Sequence, residues 1–286
     1  MTVRQTHKER MAVVKPVEVK REILRFGNGQ AEKLEDSIVT EYTVTVKVNG
    51  EELVTMVCTP DYIEEMVIGY LASEGIIKKY TDIEDLWIQE KEGFVHVKTS
   101  KSNSIYKNLQ GKRYLTSCCG ASRSGFLFAT DALTAKKLHT VETELEVEDC
   151  FRLMEEMQES AELFQNTGGV HNASLCSLFG PVVSRMDIGR HNALDKIYGH
   201  CLKNDISIHD KVIVFSGRIS SEILLKVAKI GCPIVLSKSA PTELALKLAD
   251  ELGITTIGFI RNRSMNVYSH PERIAEVKYG VKESQV

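Results

Sequence analysis

The chain has 286 residues, of which 43% are hydrophobic and 26% charged, with a formal net charge of −3. That length allows one large or two modest domains, and the balance is ordinary for a water-soluble globular protein. The slight acidic excess argues against a dedicated nucleic-acid binder, which carries a basic surplus, and no apolar run approaches the ~20 residues that cross a bilayer.

Residues 1–19 are polar, mixed in charge and without period, and read as a loose tail. No apolar signal-peptide core is found there, so the cytoplasm is the expected location. From Lys20 the apolar residues begin to alternate, over 22–26 and again over 38–48, where Asn49-Gly50 leads into a second run at 53–58. Two β-branched runs about an Asn-Gly pair predict a β-hairpin. Thr59-Pro60-Asp61 reads as a helix entry, with proline in the opening turn. Ile63, Met66, Val67, Tyr70 and Leu71 recur at helical spacing up to Gly75, a C′ glycine. Residues 82–99 read as another strand pair. A small β-rich domain with one helix is therefore expected over 20–110, without a catalytic constellation.

A second domain is expected over 111–273, opening on Thr116-Ser117-Cys118-Cys119-Gly120-Ala121-Ser122-Arg123. Adjacent Cα atoms lie ~3.8 Å apart, below the roughly 4.4 Å that an unstrained disulfide needs. Cys118 and Cys119 are thus better read as free thiols. Lys112, Arg113 and Arg123 nearby favour the thiolate, the form that attacks sulfur or binds soft metals. The bland alternative is that they are small buried hydrophobes, as free cysteine often is. The seven cysteines are odd in number and scattered, which in a reducing compartment points to structural, metal-binding or catalytic use.

An apolar stripe over 147–164 predicts an amphipathic helix packed on the core. Gly168-Gly169 makes a bend before His171. Further on, Asp187-Ile188-Gly189-Arg190-His191-Asn192-Ala193-Leu194-Asp195-Lys196 gathers polar side chains around a glycine. With a helix starting near Arg190, His191 and Asp195 share a face, as do Asn192 and Lys196. Strands at 211–215, 233–236 and 254–260 alternate with helices, a pattern of βαβ units and a parallel sheet. Ligands in such sheets sit beyond the carboxyl ends of the strands. There helix starts at Ser220 and Ser239 would present N–H groups to an anion, with Arg218 and Arg261 adding charge. The segment 261–273 is polar with a strand-like middle, and 274–286 reads as a tail.

Several of these stretches together resemble one known family, the formate dehydrogenase accessory sulfurtransferases. They are Asn49-Gly50-Glu51, Gly69-Tyr70-Leu71, Glu74-Gly75-Ile76-Ile77, Thr167-Gly168-Gly169-Val170-His171, the block from Asp187 to Lys196, Ser216-Gly217-Arg218, Ser239-Ala240-Pro241-Thr242, Gly258-Phe259-Ile260-Arg261 and Asn266-Val267-Tyr268. The resemblance implies a cytoplasmic carrier that takes sulfur from a cysteine desulfurase as a persulfide. It would pass that sulfur to the molybdenum bis-guanine-dinucleotide cofactor before insertion into formate dehydrogenase. It also implies a homodimer, and an α/β (α+β overall) fold whose C-terminal three-layer part is similar to cytidine deaminases without zinc. Many members carry Cys-Gly-x-Cys-Gly in the thiol loop; here Ser122 stands at the second cysteine. That register assigns the persulfide to Cys119, with Cys118 as partner or substitute. The cofactor segment maps to Met265, Asn266, Val267, Tyr268 and Ser269, and strand-end geometry adds Arg190, His191, Ser216 and Arg218. A guanine nucleotide would then serve as a partial mimic of the cofactor.

Three rival readings are weaker. A zinc nucleoside deaminase needs a glutamate where Ala173 stands and a downstream Pro-Cys-x-x-Cys that the chain lacks. A pure cofactor chaperone would leave the thiols incidental. A rhodanese-like loop, Cys118-x4-Arg123, lacks the surrounding pattern of that fold.

Overall fold

The computed structural model describes residues 15–100, 113–115, 135–140 and 143–280. The chain builds a two-stranded ribbon and two larger sheets. The ribbon is β1 (Glu18–Gly27) and β2 (Gln30–Val39). It turns at Asn28-Gly29, both in the left-handed region (φ 51° and 77°) that a two-residue hairpin requires. Asn49-Gly50 makes the same turn between β3 (Tyr42–Val48) and β4 (Glu51–Cys58). These two join β5 (Ile83–Gln89), β6 (Phe94–Thr99) and β7 (Arg113–Leu115) in the order β5-β6-β3-β4-β7. Val44, Val46, Val54 and Met56 alternate onto one face and are buried there, as a pleat of period two requires.

Helix α1 (Ile63–Ser73) covers that face and is buried on nearly every side. It begins later than the proline suggests, because Thr59 and Asp61 are drawn into bonds with Lys196. Gly75 follows its end at φ 72°, as a C′ glycine should. The predicted helix over 147–164 breaks at Ser160-Ala161 into α2 (Val147–Glu159) and α3 (Glu162–Thr167).

The second sheet runs β13-β12-β11-β10-β8-β9, comprising β8 (His171–Ser177), β9 (Gly180–Asp187), β10 (Val212–Phe215), β11 (Ile234–Ser237), β12 (Thr255–Arg261) and β13 (Ser264–Ser269). β10, β11 and β12 are parallel, as the alternation predicts, while β8, β9 and β13 are antiparallel additions. One face packs on α2 through Val212, Val214, Ile234, Leu236 and Ile257. The other packs on α4 (Arg190–Lys203), α5 (Ser221–Ile230) and α6 (Glu243–Leu252). This half has the expected three layers.

The boundary expected near residue 110 is not a gap between cores. β7, past that boundary, hydrogen-bonds in parallel to β4. One apolar cluster runs from Val44 and Val95 through Leu71 and Leu194 to Phe215 and Val235. Helices α1 and α4 meet glycine to backbone. A Cβ on Gly69 would lie 1.9 Å from the Asp195 carbonyl oxygen, and one on Gly199 would lie 1.8 Å from that of Glu65. The expected C-terminal tail also differs. Ile274 is buried, and a short helix, α7 (Ala275–Tyr279), follows it.

Candidate functional site

Because β8 runs antiparallel to β10, its first residues lie beside the last residues of β10, with Ala173 opposite Phe215. His171 in turn faces Asp187 at the end of β9, and α4 starts three residues later. The strand ends therefore collect His171, Asn172, Asp187, Arg190, His191, Ser216 and Gly217 at one edge of the sheet. Asp187 is the organising residue. Fully buried, its carboxylate accepts hydrogen bonds from Gly189 N (2.7 Å), Asn192 Nδ2 (2.9 Å), Thr59 N and Thr59 Oγ1 (both 3.0 Å). The Lys196 ammonium sits 2.9 Å away and is bonded to Asp61 Oδ1 and Thr59 Oγ1 at 2.6 Å each. Burial opposes charge on Lys196, yet the Asp187 and Asp61 carboxylates hold its pKa above the ordinary lysine value.

This cluster fixes the entry to α4 while leaving it open. Gly189 is the N-cap, no side chain caps it, and no acid stands in the first turn. An uncapped first turn presents orphan N–H groups and a positive dipole end. Around it lie buried polar atoms without a hydrogen-bond partner: Arg190 Nε, His191 Nε2 and Asn172 Oδ1. His191 Nε2 is 3.3 Å from the Glu222 carboxylate, but out of hydrogen-bonding geometry. Buried polar groups normally find partners, so three polar atoms left without a hydrogen bond at a helix start give this edge the means to take a polar ligand. Burial and the neighbouring Arg190 charge push the His171 pKa down, which favours a neutral imidazole there. Gly217 leaves room beside it, since a Cβ would come within 2.9 Å of the Phe215 ring and 3.4 Å of His171 Nδ1.

The other predicted residues divide. Ser216 is at the edge, but its hydroxyl accepts from Asn172 N (2.9 Å), so it shapes the turn. Arg218 is exposed beside it. The predicted helix starts also differ. Ser220 caps α5 with its own hydroxyl, and α6 is capped by Thr242, which leaves Ser239 to bond the Ser216 carbonyl. Along β13, Asn266 and Tyr268 lie on the face of the Ser239 turn, with Asn266 Nδ2 3.1 Å from Tyr268 Oη. A Cβ on Gly258 would lie 3.2 Å from the Tyr268 ring. Met265 and Val267 alternate to the other face and pack on the α2 side of the core. Ser269 lies at the far end, buried, donating to Ile254 O and accepting from Thr256 N. Its hydroxyl is structural.

Asp195 and Lys196, which helical spacing placed beside His191 and Asn192, turn into the protein. Asp195 holds Ser73 Oγ at 2.9 Å and pairs with Lys226. The share of Thr59 and Asp61 was missed, because nothing in the sequence joins a turn at 60 to a helix at 190. Phe259 at φ 54° was missed too. This left-handed aromatic lies at a bulge between β12 and β13, with the Arg261 guanidinium 5.3 Å from its ring. Strained residues of this kind collect at binding sites.

Cys118 and Cys119 lie outside the described residues. The strand before them does not: β7 ends at Leu115 opposite Met56, two residues short of the end of β4, beyond which Thr59 meets Asp187. The other five cysteines, Cys58, Cys150, Cys176, Cys201 and Cys232, are all buried free thiols. Burial pushes the last four up to about 12 and Cys58 higher still. Among the described residues, no three His, Cys, Asp or Glu side chains are placed to hold a metal ion. No described helix is long and apolar enough to cross a membrane.

The strand ends thus define an α/β protein with an open helix start and unpartnered polar atoms at one edge of its second sheet. The chain belongs to the FdhD/NarQ family, whose model matches residues 39–275. It is 56% identical over 261 residues to the sulfur carrier protein FdhD of Shouchella clausii, covering 91% of this chain and 98% of that protein. It is 54% identical over 256 residues to the protein of that name in Bacillus subtilis, covering 90% and 97%. The fold matches the crystal structure of a candidate formate dehydrogenase accessory protein from Desulfotalea psychrophila. There the TM-score is 0.73 at 24% identity, over 91% of this chain and all of that one.

Proposed function

We propose that this protein is a sulfurtransferase that carries sulfur as a persulfide on the Cys118–Cys119 pair. It takes the sulfur from a cysteine desulfurase and delivers it to the molybdenum bis-guanine-dinucleotide cofactor of formate dehydrogenase, in the cytoplasm and as a homodimer. The names of its relatives support sulfur carriage. The observation that carries the reading is the fate of the cysteines. Five of the seven are buried with raised pKa values, so a thiolate able to attack sulfur is left to Cys118 or Cys119. Such a thiolate would attack the outer sulfur of the donor's persulfide. A new S–S bond forms, the donor's S–S bond breaks, and the donor leaves as a thiolate; no external oxidant is needed.

The open first turn of α4, with Arg190, His191 and Asn172 about it, suits a ligand bearing phosphates and a hydrogen-bonding base. Arg218, Asn266 and Tyr268 would extend that surface, while Met265, Val267, Ser216 and Ser269 support it from behind. Mass spectrometry after incubation with a cysteine desulfurase and cysteine tests the reading. One added sulfur on a peptide holding Cys118 or Cys119 is expected; an unchanged mass, with the donor shown to be loaded, overturns it.

A further inference from the structure

The end of the second sheet away from the open start of α4 carries a groove that the proposed function does not use. The β8–β9 turn stands there, about 20 Å from His171 along the length of β8. Between that turn, the lead-in to α2 and helix α7 lies a cavity of about 540 Å³. Backbone ties its walls together, Leu145 N donating to Arg273 O (3.0 Å) and Ala275 N to Leu145 O (2.9 Å). Turns between strands favour Gly, Asn, Asp and Ser, yet this one reads Leu178-Phe179. Leu178 lines the cavity, and Phe179 beside it is 97% exposed. Tyr279, on the α7 wall, is 69% exposed. The turn is also braced. Arg152 Nη2 donates to Leu178 O at 2.6 Å, and the Ser177 hydroxyl accepts from Phe179 N and donates to Gly180 O, at 3.2 Å each. A ring displayed on a turn already fixed in place costs little further order when a partner covers it, as suits an interface anchor.

The charge of the cavity indicates what covers it. Glu144, Glu146, Asp149 and Glu276 line it, and among the described residues no cation does. Lys278 and Arg152 pair with Glu144 and Asp149 from outside the lining. An acidic cavity repels the phosphates of nucleic acids and of anionic lipid, and a bare metal ion would leave the exposed rings uncovered. We propose that this groove docks a partner protein through a segment in which lysine or arginine alternates with large apolar side chains. The carboxylates take the cations, and Leu178, Phe179 and Tyr279 take the apolar groups. A partner held at this end of the sheet leaves the open start of α4 accessible. The inference does not depend on the proposed sulfur chemistry.

Fluorescence anisotropy of the full chain with a labelled peptide of alternating lysine and leucine tests this, beside a glutamate–leucine and a lysine–serine peptide. The lysine–leucine peptide should bind, and the other two at least about tenfold more weakly. Phe179→Ser and Glu144→Gln/Glu276→Gln should each weaken binding at least about threefold, the worth of an anchor or of two exposed charges. Only the second variant should flatten the salt dependence. Glutamine at 276 keeps an oxygen to accept from Val147 N, as Glu276 does, and circular dichroism checks the fold. Leu244→Ser, at an exposed apolar position on α6, should leave binding unchanged. Equal binding of the three peptides overturns the proposal, and so do groove variants that bind as the wild type does. A change in the chain's own sedimentation with those variants would make a second copy the occupant. Binding that emerges only after removal of residues 281–286 would make the chain's own end the occupant. Either result also overturns it.

Discussion

At the scale of the residue, burial sorts chemically equal side chains into different roles. Seven cysteines look alike in the sequence, yet five are packed where an ionised sulfur loses its hydration, so their pKa values rise. A thiol-specific reagent should therefore label Cys118 and Cys119 in the native protein and all seven only after denaturation. Rapid native labelling of Cys176 or Cys232 would contradict that sorting. Arg190 offers an unpartnered Nε at the open helix start. Its replacement by alanine should weaken guanosine diphosphate binding roughly 10- to 100-fold, the worth of a charge-assisted hydrogen bond. Calorimetry with the nucleotide reads this directly, and an unchanged affinity removes Arg190 from the site.

At the scale of the element, the contact of α1 with α4 is set by two glycines that the sequence marks only as helix-weakening residues. Gly69 and Gly199 let the two backbones touch, and neither neighbour is a side chain that can swing away. Gly199→Ala should cost about 3 kcal/mol or more, as overpacking against rigid atoms does, and a chemical denaturation midpoint would show it. Beside this contact, Lys196 neutralises the buried Asp187. Lys196→Met should cost about 3–5 kcal/mol, because it strands a carboxylate without its counter-charge. Adding Asp187→Asn should recover part of that loss; a double variant worse than the sum of the singles would refute the pairing.

At the scale of the whole molecule, the ion pairs between the two halves give stability a dependence on pH. Arg185 on β9 clasps Glu65 on α1 through two bonds of 2.6 and 3.0 Å, and His200 on α4 joins at 2.8 Å. Burial works against ionisation of Glu65, but hydrogen bonds from Arg185 and His200 hold its pKa below the usual carboxylate value. The folded pKa thus lies below the unfolded value of about 4.3. The contribution is present above that pH and fades as pH falls through the depressed folded value. Glu65→Gln should lower stability at neutral pH and flatten its fall between about pH 5 and 3. Urea midpoints across that range check this, and a slope equal to the wild type would dismiss the clasp.

The amino-acid order by itself determined the local elements, because period and turn chemistry act over a few residues. It marked the Asn49-Gly50 hairpin, the parallel strands β10 to β12 and the start of α4 at Arg190, as well as the vicinal thiols. The same rule would have found the β1–β2 turn, since Asn28-Gly29 carries an identical signal. Only the tertiary structure decided which polar residues face a ligand and which lock the fold. Asp195 and Lys196 share a helix with Arg190 and His191, but they meet Ser73, Asp61 and Lys226 across the core. Those partners lie 31 to 135 residues away, beyond the reach of any periodicity, and the free energy of burying a charge depends on the neighbour that arrives.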